Sequence, residues 1–360
     1  MAGDAAAERP TDGLPAAERL DRFMARANAA YYATHDPFAD FTTAPEIAQV
    51  FGELLGLWAA VAWDLLGRPT PVLLAEAGPG RGTLMADALR AIGQVAPAFA
   101  AALTPHLVET SPRLRAIQQA ALPPAWAART VWHERPEGLP DVPLLLLANE
   151  FLDALPVRQF VRRGADWTER HVARGAFVER PADRRDARLG DPLDGHAAAG
   201  WDGTLAEGTV VEVCEPARAF VAGLAARLAR RPGAVLLLDY GPALPCVGDS
   251  LQALRAGRPA DPLVAPGEAD LTAHVDFPTL AAVARAAGAA VHGPLSQGIL
   301  LTRLGLFQRT DRLARGQPPA RAAALVTAAR RLAEPHRMGR LFKALALCHP
   351  GCPTPPGFEA

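Results

Sequence analysis

Carboxylates stand at or just beyond the ends of three apolar runs in this 360-residue chain, and the first of them opens into a turn made for close approach. In Leu73-Leu74-Ala75-Glu76-Ala77-Gly78-Pro79-Gly80-Arg81-Gly82-Thr83-Leu84-Met85 a strand pattern ends in Glu76, turns through alternate glycines and enters a helix with Leu84, Ala88, Leu89 and Ile92 on one face. Glycine has no Cβ and tolerates φ > 0, so backbone there can lie against a ligand. The helix behind it aims free N–H groups and partial positive charge into the turn. A dinucleotide fingerprint places its third glycine five positions after the first; here that position is Thr83. A carboxylate at the strand end also suits a cationic cofactor better than a pyrophosphate. The alternative is a tight strand-to-helix turn without ligand, and the next strand weighs against it.

The form E-x-G-x-G-x-G resembles motif I of the class I S-adenosyl-L-methionine (SAM) methyltransferases, whose glycine loop packs against the amino-acid portion of the donor. The run His106-Leu107-Val108-Glu109 then reads as a buried strand ending in an acid that can accept both ribose hydroxyls, as in nucleotide folds. Its other reading is an acid placed near the helix start at Ser111-Pro112. The segment Asn149-Glu150-Phe151-Leu152-Asp153 leaves the carboxyl end of the continuous strand Leu144-Leu145-Leu146-Leu147-Ala148, where open α/β sheets hold ligands. Asn149, Glu150 and Asp153 are the candidate catalytic residues, able to hold a substrate nitrogen in line with a sulfonium methyl by positioning and electrostatics. Glu150 or Asp153 as a helix cap is the competing role. In Asp270-Leu271-Thr272-Ala273-His274-Val275-Asp276-Phe277 the polar residues alternate, which predicts a strand with Asp270, Thr272, His274 and Asp276 on one face. His274 and Asp276 are secondary catalytic candidates. Asp276 before Phe277-Pro278 equally suits an N-cap for a helix over 278–288. One histidine with one carboxylate makes no metal site, and no metal is expected.

These residues need a scaffold, and the patterning supplies one. The order over 72–148 is β-α-β-α-β-β, with continuous rather than alternating apolar strands, so the sheet is parallel and covered on both faces. The fold class is α/β, doubly wound and mostly parallel. A helix from about residue 16 carries Leu20, Phe23 and Met24, an irregular aromatic stretch spans 31–46, and a second amphipathic helix carries Phe51, Leu54, Leu55, Leu57 and Trp58. Alternation over 157–180 predicts an antiparallel hairpin, and 181–208 an exposed connection. Beyond it, Thr209–Val213 and Ala234–Asp239 are expected to resume the main sheet around a helix carrying Phe220, Leu224 and Leu228. The resulting organisation is a disordered leader 1–15, an N-terminal helical segment and cofactor lid 16–71, a donor-binding core 72–156, an inserted hairpin and loop 157–208, continued core and substrate side 209–310, and a C-terminal helix and tail 311–360.

Composition bounds the function. The formal net charge is −1, so no basic field invites nucleic acid. Of 37 basic residues all but Lys343 are arginine, a bias of coding composition. Four scattered cysteines make no disulfide framework and no zinc set. No apolar run is long enough to cross a bilayer, and an acidic leader without an apolar core argues against a signal peptide or organellar presequence. A cytoplasmic location is expected.

Taken together the chain is similar to the MidA-like family of class I SAM methyltransferases, which includes a mitochondrial complex I assembly factor that methylates an arginine of a complex I subunit. The match runs through Tyr31-Tyr32, Asp36-Pro37-Phe38, Asp40 to Ile47, Phe51-Gly52-Glu53-Leu54, the glycine loop, His106 to Glu109, Asn149-Glu150-Phe151 with Asp153-Ala154-Leu155-Pro156, Asp239-Tyr240-Gly241, Gly248 to Gln252, Asp270 to Phe277, and Met338 to Lys343. The resemblance implies a Rossmann-like methyltransferase sheet with added N-terminal helices and a substrate-side insertion, and SAM as cofactor. It places Glu76, Gly78, Pro79, Gly80, Gly82, Thr83 and Glu109, together with Thr43, Pro45 and Glu46, on the cofactor. It also implies a protein arginine as acceptor, with a respiratory complex I subunit as partner. Guanidinium stays protonated at ordinary pH, so carboxylates are needed to localise its charge and take its proton. Two departures stand out: only Ala39-Asp40 separate Phe38 from Phe41, where the family has a longer glycine-containing loop, and Gly257 replaces a histidine the family often shows. Three readings follow: an arginine methyltransferase, a SAM methyltransferase with another protein or small-molecule acceptor, or a non-catalytic assembly factor that keeps the pocket.

Overall fold

A computed structural model describes residues 17–35, 42–182 and 205–359. The leader, the matched stretch Asp36 to Phe41 with its short Ala39-Asp40 link, and most of the 181–208 connection lie outside the described residues.

A seven-stranded sheet organises the chain. Its strands are β2 (Val72–Ala77), β3 (Leu103–Val108), β4 (Val131–His133), β5 (Leu144–Asn149), β10 (Gly233–Tyr240), β14 (Ala290–Ser296) and β15 (Phe342–Cys348), in the order β14-β15-β10-β5-β2-β3-β4. All neighbours from β10 to β4 are parallel, and β15 alone runs against them. The continuous leucine runs are explained by this burial: Leu74, Leu145, Leu147 and Leu236 feed one apolar layer, while Leu73, Leu146 and Leu237 feed the opposite one. On the first face the helix Gln49–Leu65 lies against the helix Thr83–Val95, where a Cβ on Gly56 would sit 2.6 Å from Ala88 Cα. That close crossing brings the N-terminal helices over the glycine loop.

A second, antiparallel sheet joins β1 (Glu18–Arg19), β6 (Arg158–Arg163), β7 (Asp166–Ala173), β8 (Ala176–Pro181) and β9 (Val210–Val213). The expected hairpin over 157–180 is thus a three-stranded meander. The expectation that Thr209–Val213 rejoins the main sheet is corrected: β9 pairs with β6 in the small sheet, Phe160 opposite Val211, where Phe160, Val211 and Val213 close their own apolar cluster. The small third sheet contains β11 (Gln252–Arg255), β12 (Arg258–Ala260) and β13 (Asp270–Thr272). Its hairpin turn puts Ala256 at φ +49° and Gly257 at φ +69°, so the glycine found in place of histidine occupies a left-handed position that favours it.

Three further expectations change. The helix expected from about residue 16 begins at Leu20 because β1 pairs with β7, and it runs to Thr34 through the stretch read as irregular. Buried Tyr31 and the bond from Tyr32 to Asp270 give that extra turn its tertiary anchor. The alternating strand over Asp270–Asp276 stops at Thr272, because Ala273 N–H turns to Asp153 O and Val275 N–H to Tyr240 O. Finally, the segment taken as C-terminal helix and tail also supplies β15, and the residues after it dock through Arg303, which donates to Gly357 O and Glu359 O.

Candidate functional site

The carboxyl ends of β2, β3 and β5 open on a cavity of about 680 Å³, roofed by the helix Leu20–Thr34 and the short helix Ala44–Ile47. Register explains the convergence: Glu76 lies beside Leu107 on β3 and Leu147 on β5, so strand ends Glu76, Glu109 and Asn149 meet one crevice. Among the described residues, the cavity is lined by Glu76, Gly78, Pro79, Gly80, Thr83, Glu109, Thr43, Pro45, Glu46, Asn149 and Glu150. Gly82 is not on that lining. It caps the helix Thr83–Val95 at φ +81° and turns toward Gln118, from which a Cβ would stand 3.2 Å away; its glycine serves the helix start. Asp153, His274 and Asp276 also stand off the cavity wall.

The glycine loop is held open by backbone geometry. Gly78 and Gly80 have φ of +67° and +53°, and a Cβ on Gly78 would fall 2.7 Å from Phe151 Cδ2. Gln118 Nε2 donates to Gly80 O at 2.8 Å and to Glu109 Oε2 at 3.1 Å, while Trp132 Nε1 donates to Gln118 Oε1 at 2.9 Å. Glu109 also accepts from Ser111 N–H at 2.8 Å, so the acid both faces the cavity and shapes the turn after β3. Ser111 Oγ caps the following helix. Thr83 Oγ1 donates to Glu46, tying the short roof helix to the loop.

Glu76 sits in an incomplete environment. It is 3% accessible, its Oε2 has no hydrogen-bond partner among the described residues, and burial pushes its carboxyl up to about 8, with the Met85 backbone N–H opposing. An acid so placed at a cavity floor is neutralised either by its own proton or by a cation beside it.

A second constellation follows β5. Glu150 sits in the left-handed region at φ +49°, a conformation that costs a non-glycine residue about 1–3 kcal/mol. Its N–H donates to Leu238 O at 2.9 Å, and the next three N–H groups, of Phe151, Leu152 and Asp153, converge on Asp239 Oδ2 at 3.1, 2.9 and 3.3 Å. Asp239 on β10 therefore moulds the turn that aims Glu150. Glu150 Oε1 accepts from Ala44 N–H at 2.9 Å and from Asn149 Nδ2 at 3.1 Å, and Asn149 Oδ1 is buried without a partner among the described residues. Burial raises the Glu150 carboxyl, against those two donors. Asp153 is raised further, by burial first and then by Asp239, Asp270 and Glu150 around it.

His274 and Asp276 belong elsewhere. His274 packs against Tyr240 with ring centroids 5.4 Å apart, and partial desolvation followed by Lys343 lowers its imidazole below the ordinary histidine range. Asp276 accepts from Thr279 N–H at 3.1 Å as the N-cap of the helix Phe277–Ala286, the structural role foreseen for it. Sequence reasoning passed over Asp239, whose signal was available: like Glu76 and Glu109, it ends an apolar run. Tyr32, which belongs to the family match without a role attached to it, and Asn28 also line the cavity.

The chain is similar to known proteins over most of its length. Residues 54–295 match a family model described as "Putative S-adenosyl-L-methionine-dependent methyltransferase". The mitochondrial protein arginine methyltransferase NDUFAF7 homolog of Drosophila melanogaster is 32% identical over 371 residues, 94% of this chain and 82% of that protein. Its Homo sapiens counterpart is 32% identical over 375 residues, 94% and 81% of the two chains. A crystal structure of a Burkholderia thailandensis protein bound to S-adenosyl-homocysteine superposes with a TM-score of 0.77 at 30% identity, covering 96% of this chain and 90% of that one. The names of the curated relatives place them in mitochondria, which overturns the expectation of a cytoplasmic location. Among the described residues no helix is long and apolar enough to cross a membrane.

Proposed function

Because the chain belongs to the MidA-like family of SAM-dependent methyltransferases, and SAM is its cofactor, we propose that it methylates an arginine side chain of a protein, with a respiratory complex I subunit as partner. The relatives named protein arginine methyltransferases support the acceptor. The observation that carries the reading is the carboxylate of Glu150, aimed into the cavity beside the orphaned Asn149 Oδ1 with Asp153 and Asp239 behind it. Such a group of acids suits a permanently cationic acceptor.

The cavity residues fit the donor. Glu76 offers an unpaired carboxylate oxygen to its cationic methionyl end, the glycines leave space for its backbone-like portion, and Glu109 faces its ribose. When bound, SAM supplies an electrophilic methyl group on a sulfonium. The chain's residues then have two tasks. Asn149 Oδ1 accepts an N–H from the target nitrogen and fixes its lone pair toward the donor. Glu150 draws the guanidinium charge toward the other nitrogens and takes the proton that must leave as the methyl arrives. The experiment is mass spectrometry of complex I subunits from cells with and without the gene and from a Glu150→Gln strain. An arginine methylated only in the wild type supports the enzyme; the same modification in all three strains removes the reading.

Two effects at the donor end follow. Glu109→Ala is expected to weaken S-adenosyl-homocysteine by about 2 to 4 kcal/mol, the worth of one or two charged hydrogen bonds. Calorimetric titration measures it, and an equal fall in global stability would mark Glu109 as a turn-shaping residue only. Glu76 predicts a linked proton. Its raised carboxyl is largely protonated in the free protein at pH 7, and a cation beside it favours the charged form, so binding releases a proton and tightens as pH rises toward about 8. Titration heats at pH 7 should therefore vary with buffer ionisation enthalpy, and Glu76→Gln should abolish the variation. Heats independent of buffer in the wild type would contradict the pairing.

A further inference from the structure

Tyr32 joins the cavity wall where the roof helix meets the turn after β5. Its neighbour one helical turn earlier, Asn28, donates to Ala154 O at 3.1 Å and Leu271 O at 2.8 Å and accepts from Leu271 N–H at 3.0 Å. Tyr32 itself donates its hydroxyl to Asp270 Oδ1 at 2.7 Å. Asp270 is 4% accessible, so this bond is sheltered from water. The ring also has an aromatic neighbour: Tyr31, fully buried, meets it at 74° with centroids 5.4 Å apart, and Tyr31 in turn stacks on His35. The hydroxyl is thus held, Tyr32 is among the residues lining the cavity, and Asn28 ties this stretch of the helix to the turn after β5 that carries Glu150. Burial raises the phenol hydroxyl, and the nearby acids Asp270 and Asp153 raise it further.

We propose that Tyr32 is a specificity-determining residue of the acceptor subsite, its ring forming the plate on which a planar guanidinium lies while Glu150 and Asn149 meet that cation at its edge. The inference rests on the arginine reading above and deepens it. A guanidinium is flat, delocalised and weakly hydrated, and it stacks on aromatic faces where an ammonium does not match the shape. Cation–aromatic contact of this kind is worth about fivefold in affinity when exposed and about 30-fold when desolvated. Asp270 acts through Tyr32: by accepting its hydroxyl it sets the ring plane and enriches its face.

The test uses the full chain saturated with S-adenosyl-homocysteine and ethylguanidinium chloride as probe, followed by NMR titration. Wild type is expected to bind the probe, and Tyr32→Leu to bind it about 5- to 30-fold more weakly, with the affinity for S-adenosyl-homocysteine unchanged. Tyr32→Phe and Asp270→Asn keep the ring but loosen it, and each should weaken the probe by about two- to fivefold; they carry the test if Tyr32→Leu fails to hold S-adenosyl-homocysteine. Ethylammonium, which has no planar face to stack, should lose less affinity than ethylguanidinium on Tyr32→Leu. Wild type that binds ethylguanidinium only as tightly as Tyr32→Leu does, or as Tyr32→Phe and Asp270→Asn do where those carry the test, overturns the plate while leaving the arginine reading in place. Wild type that does not bind ethylguanidinium at all overturns both.

Discussion

Glu150→Gln is expected to lower methyl transfer about 10³-fold, within the range assigned to a positioned general base, while the Kd for S-adenosyl-homocysteine stays within about threefold. The substitution is nearly isosteric, and a glutamine oxygen can still accept from Ala44 N–H, so the roof contact at 2.9 Å survives. What is lost is the negative charge and the capacity to take a proton. The acid limb of the wild-type rate profile should also lie above the ordinary glutamate range, because burial raises this carboxyl and the rate needs its charged form. Rates of methyl transfer to the acceptor found by mass spectrometry, measured across pH, read both effects. A Glu150→Gln enzyme with wild-type rate would transfer the role to Asp153 or remove carboxylate assistance altogether.

Gly80→Val is expected to reduce donor affinity by about 100-fold or more. A left-handed backbone costs an L-residue about 1–2 kcal/mol, more for a β-branched one, and Gly80 has φ +53° on the cavity wall. Relieving that strain moves the carbonyl that Gln118 holds at 2.8 Å, and with it the amide that holds Glu109. The added methyl groups meanwhile occupy ligand space. Calorimetry with S-adenosyl-homocysteine checks the affinity and circular dichroism checks the fold. Unchanged affinity in a folded variant would sink the assignment of the loop to the donor.

Much of this site is legible in the sequence because its signals are local. Glu76 and the glycines are contiguous, and their chemistry, an acid before a turn that needs positive φ, is written in residue types. The leucine run of β5 announces a strand covered on both faces. Partner choice is a different matter. The apolar pattern of Val210–Val213 says strand but not which sheet, and its pairing with β6 depends on Phe160 some fifty residues earlier. Ala344-Leu345-Ala346-Leu347 reads as readily as helix, since alanine and leucine favour that state, and only its place beside β10 makes it extended. Asp239 and Tyr32 work through contacts to distant segments, 86–88 and 238 positions away in the chain. The alternation around His274 is a false periodicity, broken because the backbone there bonds to Asp153 and Tyr240 instead of continuing a ladder.

The place of β15 has a consequence for synthesis. Asp239, which moulds the turn carrying Glu150, lies opposite Lys343 in the antiparallel pairing of β10 with β15. While the ribosome is still making the residues before Phe342, β10 has one side unpaired, and an unpaired strand edge is a template for wrong association. The crevice between β2 and β3 can form early from near neighbours, but the β10 edge beside the Glu150 turn is covered only once Phe342–Cys348 has emerged. A nascent chain stalled short of Phe342 should therefore hold its donor loop in a partly assembled protein and depend on chaperones until release.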